Sequence, residues 1–234
     1  MTRATTARIA GFTFLAYIAA TMASMVIFER VAGTGSTAMR LAAISAHAGG
    51  MHLVILLALV QAFAALILAV TLHAITREQD PDVAMLAMAC RLTEGALCGV
   101  SVSANLALLW VATASGPERP AAGAAQALAG YLLRDDSAIP ALFFAVGSAL
   151  FAYLFLRGRM IPAVLAWLGV VASVLLVAGL PAQLAGLVSA RFASLMWLPM
   201  LAFEIALGLW LLIKGIGAPR PVEPGRTDMA SANV

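Results

Sequence analysis

FASLMWLPMLAFEIALGLWLLI, residues Phe192–Ile213, is the stretch that decides the fold class. It is bounded by Arg191 and Lys214 and carries a single charge, Glu204, near its middle. An apolar run of this length satisfies its backbone polar groups as a helix and can cross a bilayer core of about 30 Å. Glu204 lies ten residues before Lys214, about 15 Å of helix from that end. An ionisable group at that depth is costly and marks a functional site by default.

Working outward, five more runs read the same way. Ile9–Phe28 is free of charge. Met51–Ile75 follows, with uncharged sequence from Leu41 onward and a bend or break expected at Gly49–Gly50. Val83–Ala114 contains Arg91 and Glu94. Ala138–Leu156 is the fourth, and the fifth runs from Pro162, suited to a first helical turn, to about Val188. The expected architecture is therefore all-α: one bundle of six transmembrane helices over residues 1–216. A Pro/Gly-rich tail over 217–234 is expected to be a disordered cytoplasmic segment. Between spans three and four, Ala121–Leu133 reads equally as a short surface helix or a partly ordered loop. Arg3 and Arg8 resemble a signal-peptide start. Glu29–Arg30 nevertheless follow the first run with no clear small-residue cleavage site, which favours an uncleaved helix.

Composition agrees. The 234 residues are 63% apolar and only 11% charged, with a mean hydropathy of +0.99. A soluble domain carries about 25% charged residues, so this exterior must face lipid, and membrane lipids are the expected partners. The net charge of +3 resides in loops and forms no basic patch with exposed aromatics, which argues against nucleic acid. Six spans put both termini on one side, with Arg3, Arg8, Arg77, Arg157, Arg159, Lys214, Arg220 and Arg226. The opposite side has Arg30, Arg40, Arg119, Arg134 and Arg191, and that bias expects both termini in the cytoplasm. Cys90 and Cys98 stand roughly 12 Å apart on one helix, too far for a disulfide.

The chemistry concentrates in one layer. Arg91 and Glu94 lie roughly 12 and 17 Å beyond Val83, close to the depth of Glu204. Tyr17, Ser148 and Ser173 fall near that level. Arg91, Glu94, Cys98, Ser101 and Asn105 step by three and four, a single helical face expected to point into the bundle. The candidate ligand-binding or buried polar layer is thus Arg91, Glu94, Glu204, Tyr17, Ser101 and Asn105. Arg91 is expected within ion-pair distance of Glu94, Glu204 or both, because ion pairing makes a membrane-buried charge tolerable. Three ionised groups would leave the layer at net −1, so one glutamate, Glu204 for preference, is expected to keep a proton. An alternative leaves Gly95–Gly116 to span alone, with Arg91 and Glu94 at the interface. His47 and His52 are five apart, not a metal spacing on a helix, and no phosphate-cradling loop, nucleophile elbow or paired-His signature is present. No catalytic residue, metal site or cofactor is assigned.

Two function classes remain open. The layer either floors a site for a small lipophilic or amphipathic molecule that is bound or transported, or it only fixes helix packing in an accessory membrane protein. An enzyme with Glu204 as general base lacks an accompanying nucleophile or metal set.

The segments ARIAGFTFLAYIAA, ACRLTEGALCGV, FLRGRMIPAVLAWLGVVASVLLVAGL and LPMLAFEIALGLWLLIKG together resemble the bacterial "domain of unknown function 4386" family of multi-pass membrane proteins. The resemblance covers most of residues 7–216. It implies a bacterial plasma membrane location and six spans, and it places Arg91, Glu94 and Glu204 where the family carries Arg, Glu and Glu. A His that the family carries before the fourth span is absent here, where the chain reads RDDSAIPA. The resemblance supplies no substrate.

Overall fold

The computed structural model describes residues 2–134 and 138–217. The expected tail therefore lies, Gly217 apart, outside the described residues. Within them the protein is all-helical.

α1 spans Arg3–Ala32. The Thr2 side chain caps it by accepting from Thr5 N, and it stops at Gly33, whose φ of 61° favours glycine. α2 (Thr37–Ala46) and α3 (Ala48–Thr76) follow. The break between them falls at His47, ahead of the expected glycines: Gly49 and Gly50 are inside the first turn of α3. α4 (Pro81–Thr113) begins with Asp80, whose carboxylate accepts from Val83 N at 3.2 Å. After a short 3₁₀ turn at Gly116–Glu118, α5 spans Ala122–Leu132, so the surface-helix reading of this stretch holds. α6 is Ala138–Arg157 and α7 is Ala163–Leu184, ending before Gly186 (φ 71°) and short of the expected Val188.

The sixth run is not one helix. α8 (Ala190–Leu195) and α9 (Trp197–Ile213) meet at Met196. Pro199 gives the reason: it lacks an N–H, and its ring would press on the carbonyl four residues back, at Leu195. Among the described residues five helices are long and apolar enough to cross a membrane, and α9 is a shorter apolar helix of 17 residues, about 25 Å.

The six long elements form a closed ring. α1 packs on α3, α3 on α4, α4 on α6, α6 on α7, α7 on α9, and α9 returns to α1. At one end, here called proximal, Arg3 pairs with Glu78 at 2.8 Å, Arg157 with Asp80 at 2.9 Å, and Gly217 N donates to Met160 O. Both ends of the described chain thus share that side. α2 and α5 pack together at the distal end.

Two apolar cores fill the bundle. The ring core takes side chains from all six ring helices, among them Phe14, Leu68, Phe151, Phe155, Leu176 and Leu207. The distal core (Val31, Ile44, Met51, Val54, Val102, Leu108 and neighbours) uses α1–α5 alone. Ring closure depends on glycine: a Cβ on Gly11 would stand 2.5 Å from Leu212 N and 2.6 Å from Gly208 O. α1 and α9 therefore touch backbone to backbone, the close approach that small residues permit in membranes.

Candidate polar site within the bundle

α4 carries Arg91 and Glu94 one turn apart on the face it turns to the ring interior. Each is 1% exposed. The interfacial alternative therefore fails: both side chains are inside the bundle. Gly95 and Gly147 explain how they are enclosed. A Cβ on Gly95 would meet Ala62 O of α3 at 3.2 Å. One on Gly147 would meet Arg91 Cγ at 3.1 Å and Ala87 O at 3.2 Å, so α6 closes over the arginine.

Arg91 Nη1 lies 3.0 Å from Glu94 Oε2. This is an ion pair by distance, yet none of the three guanidinium nitrogens, nor Glu94 Oε2, makes an aligned hydrogen bond. Glu94 uses its other oxygen as an acceptor: Tyr17 of α1 donates its hydroxyl to Oε1 at 2.9 Å. The Arg91 guanidinium stands 4.9 Å from the Phe144 ring centroid and 5.8 Å from that of Tyr17, within the range of cation–π attraction. Phe144 was not legible as part of the layer; an aromatic on an apolar helix gives no sign of which cation it covers.

Glu204, on α9, is 6% exposed. Its Oε1 has no hydrogen-bond partner, and among the described residues no cation forms an ion pair with it. The arginine has taken the glutamate on its own helix, so of the two expected pairings only Arg91–Glu94 forms.

The rest of the expected layer divides. Ser148 joins Phe14, Leu72, Arg91, Phe151, Phe155 and Phe203 around a cavity of about 10 Å³, room for one water molecule at most. Ser173 is buried but donates to Gly169 O on its own helix at 2.7 Å, taking no part in the layer. Ser101 is exposed and Asn105 half-buried, a correction to the inward stripe. Beyond Cys98 the buried face of α4 passes to Val102, Leu108, Leu109 and Val111 in the distal core, which turns Ser101 outward. His47 and His52 each bond a backbone carbonyl of their own helical turn, Ala43 O and Ala48 O. Among the described residues no group of three or more His, Cys, Asp or Glu could hold a metal.

The arrangement can hold a cation against one carboxylate and leaves a second carboxyl unpaired beside it. Its open donors on Arg91 suit an anionic or hydrogen-bond-accepting group.

A family model described as Domain of unknown function (DUF4386) matches residues 9–215. No curated protein matches the chain and no solved structure matches it. The match covers most of the sequence, and the chain belongs to this family of unknown function.

Proposed function

With that family membership as the premise, we propose that this multi-pass membrane protein binds or transports a small amphipathic molecule whose anionic or hydrogen-bond-accepting head is taken by Arg91. One observation carries the reading. A guanidinium that is 1% exposed makes no aligned hydrogen bond with any of its three nitrogens. Burying unsatisfied donors of a charged group is costly, and a layer meant only to clip helices together has no need of it. The Arg91–Glu94 pair joins two residues of the same helix, so the ion pair itself ties no helix to another. The route in is proposed from the distal side, where a second core is built from α1–α5 without α6, α7 or α9. We place the protein in a bacterial plasma membrane, in line with the family resemblance, and orient both termini to the cytoplasm on the strength of the loop-arginine bias.

A second reading is favoured by the cavity. At about 10 Å³ it holds no organic ligand without helix movement, as expected if the charges serve packing alone.

Photolabelling in native membranes with a photoreactive long-chain carboxylate separates the two. The binding reading expects label on the α4 segment around Arg91 and on α9 near Glu204, lost in Arg91→Gln. Label confined to lipid-facing positions such as Val171 and unchanged by Arg91→Gln would leave the packing reading standing.

A further inference from the structure

The layer holds one cation and two carboxyl groups, and the geometry divides the carboxyls unequally. Glu94 has Arg91 at 3.0 Å and accepts from the Tyr17 hydroxyl at 2.9 Å, so both of its oxygens face a positive or donating group. Among the described residues Glu204 has neither a cation at ion-pair distance nor a hydrogen bond on Oε1.

Among the described side chains, the elements packed on α9 offer nothing that would replace them. α1 contributes Tyr17, already engaged with Glu94. α7 carries no ionisable side chain at all; its buried Ser173 bonds its own backbone. Among the described side chains of α8 none is ionisable. Across the ring, α4 presents Arg91, Glu94 and Cys98 within electrostatic reach of Glu204 or its neighbours. Along α9 itself, Lys214 lies about 15 Å away. An ionised carboxylate here would be an unpaired charge in low dielectric and would repel Glu94.

We propose that Glu204 is a proton-carrying site. In the closed ring it is the neutral acid, beside an Arg91–Glu94 pair that is already balanced. When water reaches the layer, the Glu204 O–H bond breaks and its proton passes to that water. The carboxylate left behind then competes with Glu94 for Arg91, whose Nε and Nη2 atoms are free of other bonds. Protonation of Glu204 thereby decides whether Arg91 has one carboxylate partner or two. The inference concerns Glu204 and needs no ligand at Arg91, so it stands or falls apart from the binding reading.

The test is infrared difference spectroscopy of the full chain in lipid vesicles, stepping from neutral to alkaline pH. At neutral pH exposed carboxyls are ionised, so a carbonyl stretch of a protonated acid reports a sequestered one. The expected result is such a band in the wild type, lost as pH rises, present in Glu94→Asp and absent in Glu204→Gln. Because Gln is uncharged and of similar shape, Glu204→Gln is also expected to fold and to melt with the wild type. No band in the wild type, a band that survives Glu204→Gln, or a Glu204→Gln variant that fails to fold would each overturn the proposal. Photolabelling at Arg91 is a separate readout that none of these outcomes predetermines.

Discussion

Along α4 the inward apolar side chains belong to two different cores. Ala84 and Ala87 join the ring core, which all six ring helices fill. Val102, Leu108, Leu109 and Val111 join the distal core, which α1–α5 fill alone. Arg91 and Glu94 stand between the two sets. The ring core interlocks every helix of the ring, with Phe155 and Leu154 wholly buried in it. In the distal core α2 and α5 cap one half of the molecule, and the ends of α6, α7 and α9 pack elsewhere. On α9 the ring core continues past Glu204 to Met200 and Met196, so the polar layer lies inside that core on one side of the bundle and borders the distal core on α4.

The comparison breaks most directly at the layer itself. Arg91→Leu leaves Glu94 buried with no cation, and removing one partner of a buried pair costs about 3–5 kcal/mol. Thermal unfolding in detergent should register that loss, while the double variant Arg91→Leu/Glu94→Leu should recover much of it. A double variant no more stable than the single one would remove the ion pair from the account.

Next come the two cores. Phe155→Ala should cost about 4 kcal/mol and Ile44→Ala about 2 kcal/mol, because both side chains are wholly buried and the larger one leaves the larger cavity. Limited proteolysis alongside the melts should show cleavage near α2 and α5 in Ile44→Ala before any global loss. Equal, global unfolding in both variants would mean that the cores are one cooperative unit.

Smaller again is the glycine contrast. Gly11→Ala drives a methyl into the backbone of α9 and should cost about 1–3 kcal/mol. Gly99→Ala has nothing within 4 Å of the new methyl and should be neutral or slightly stabilising, since Ala is the better helix former. A neutral Gly11→Ala would show that α1 and α9 are not held at the observed approach.

No stability change is expected from the topology test. In a background lacking Cys90 and Cys98, Arg134→Cys at the distal end should react with a membrane-impermeant thiol reagent on intact cells. Arg159→Cys at the proximal end should react only after permeabilisation. The reverse pattern would invert the proposed orientation and place the distal core on the cytoplasmic side.

Much of this was legible in the chain. Sparse charge and long apolar runs require helices in lipid, since no other open structure satisfies the backbone there. The depth of Arg91, Glu94 and Glu204 followed from a fixed rise per residue. The split of the sixth run at Met196 has its local cause in Pro199. The break expected at Gly49–Gly50 falls two or three residues earlier, at His47, because His47 and the glycines are all weak helix formers and local propensity does not choose among them.

What the sequence determined by itself, then, is the helices, their membrane class and the level of the polar layer, because these depend on local spacing and on the solvent. Which carboxylate Arg91 would take, that Ser101 would turn outward, that Phe144 would cover the guanidinium and that α9 would close on α1 through Gly11 were decided only by tertiary structure. Spacing along a helix fixes depth and face, but partners are set by the rotation and tilt of neighbouring helices, and those depend on the packing of all six at once.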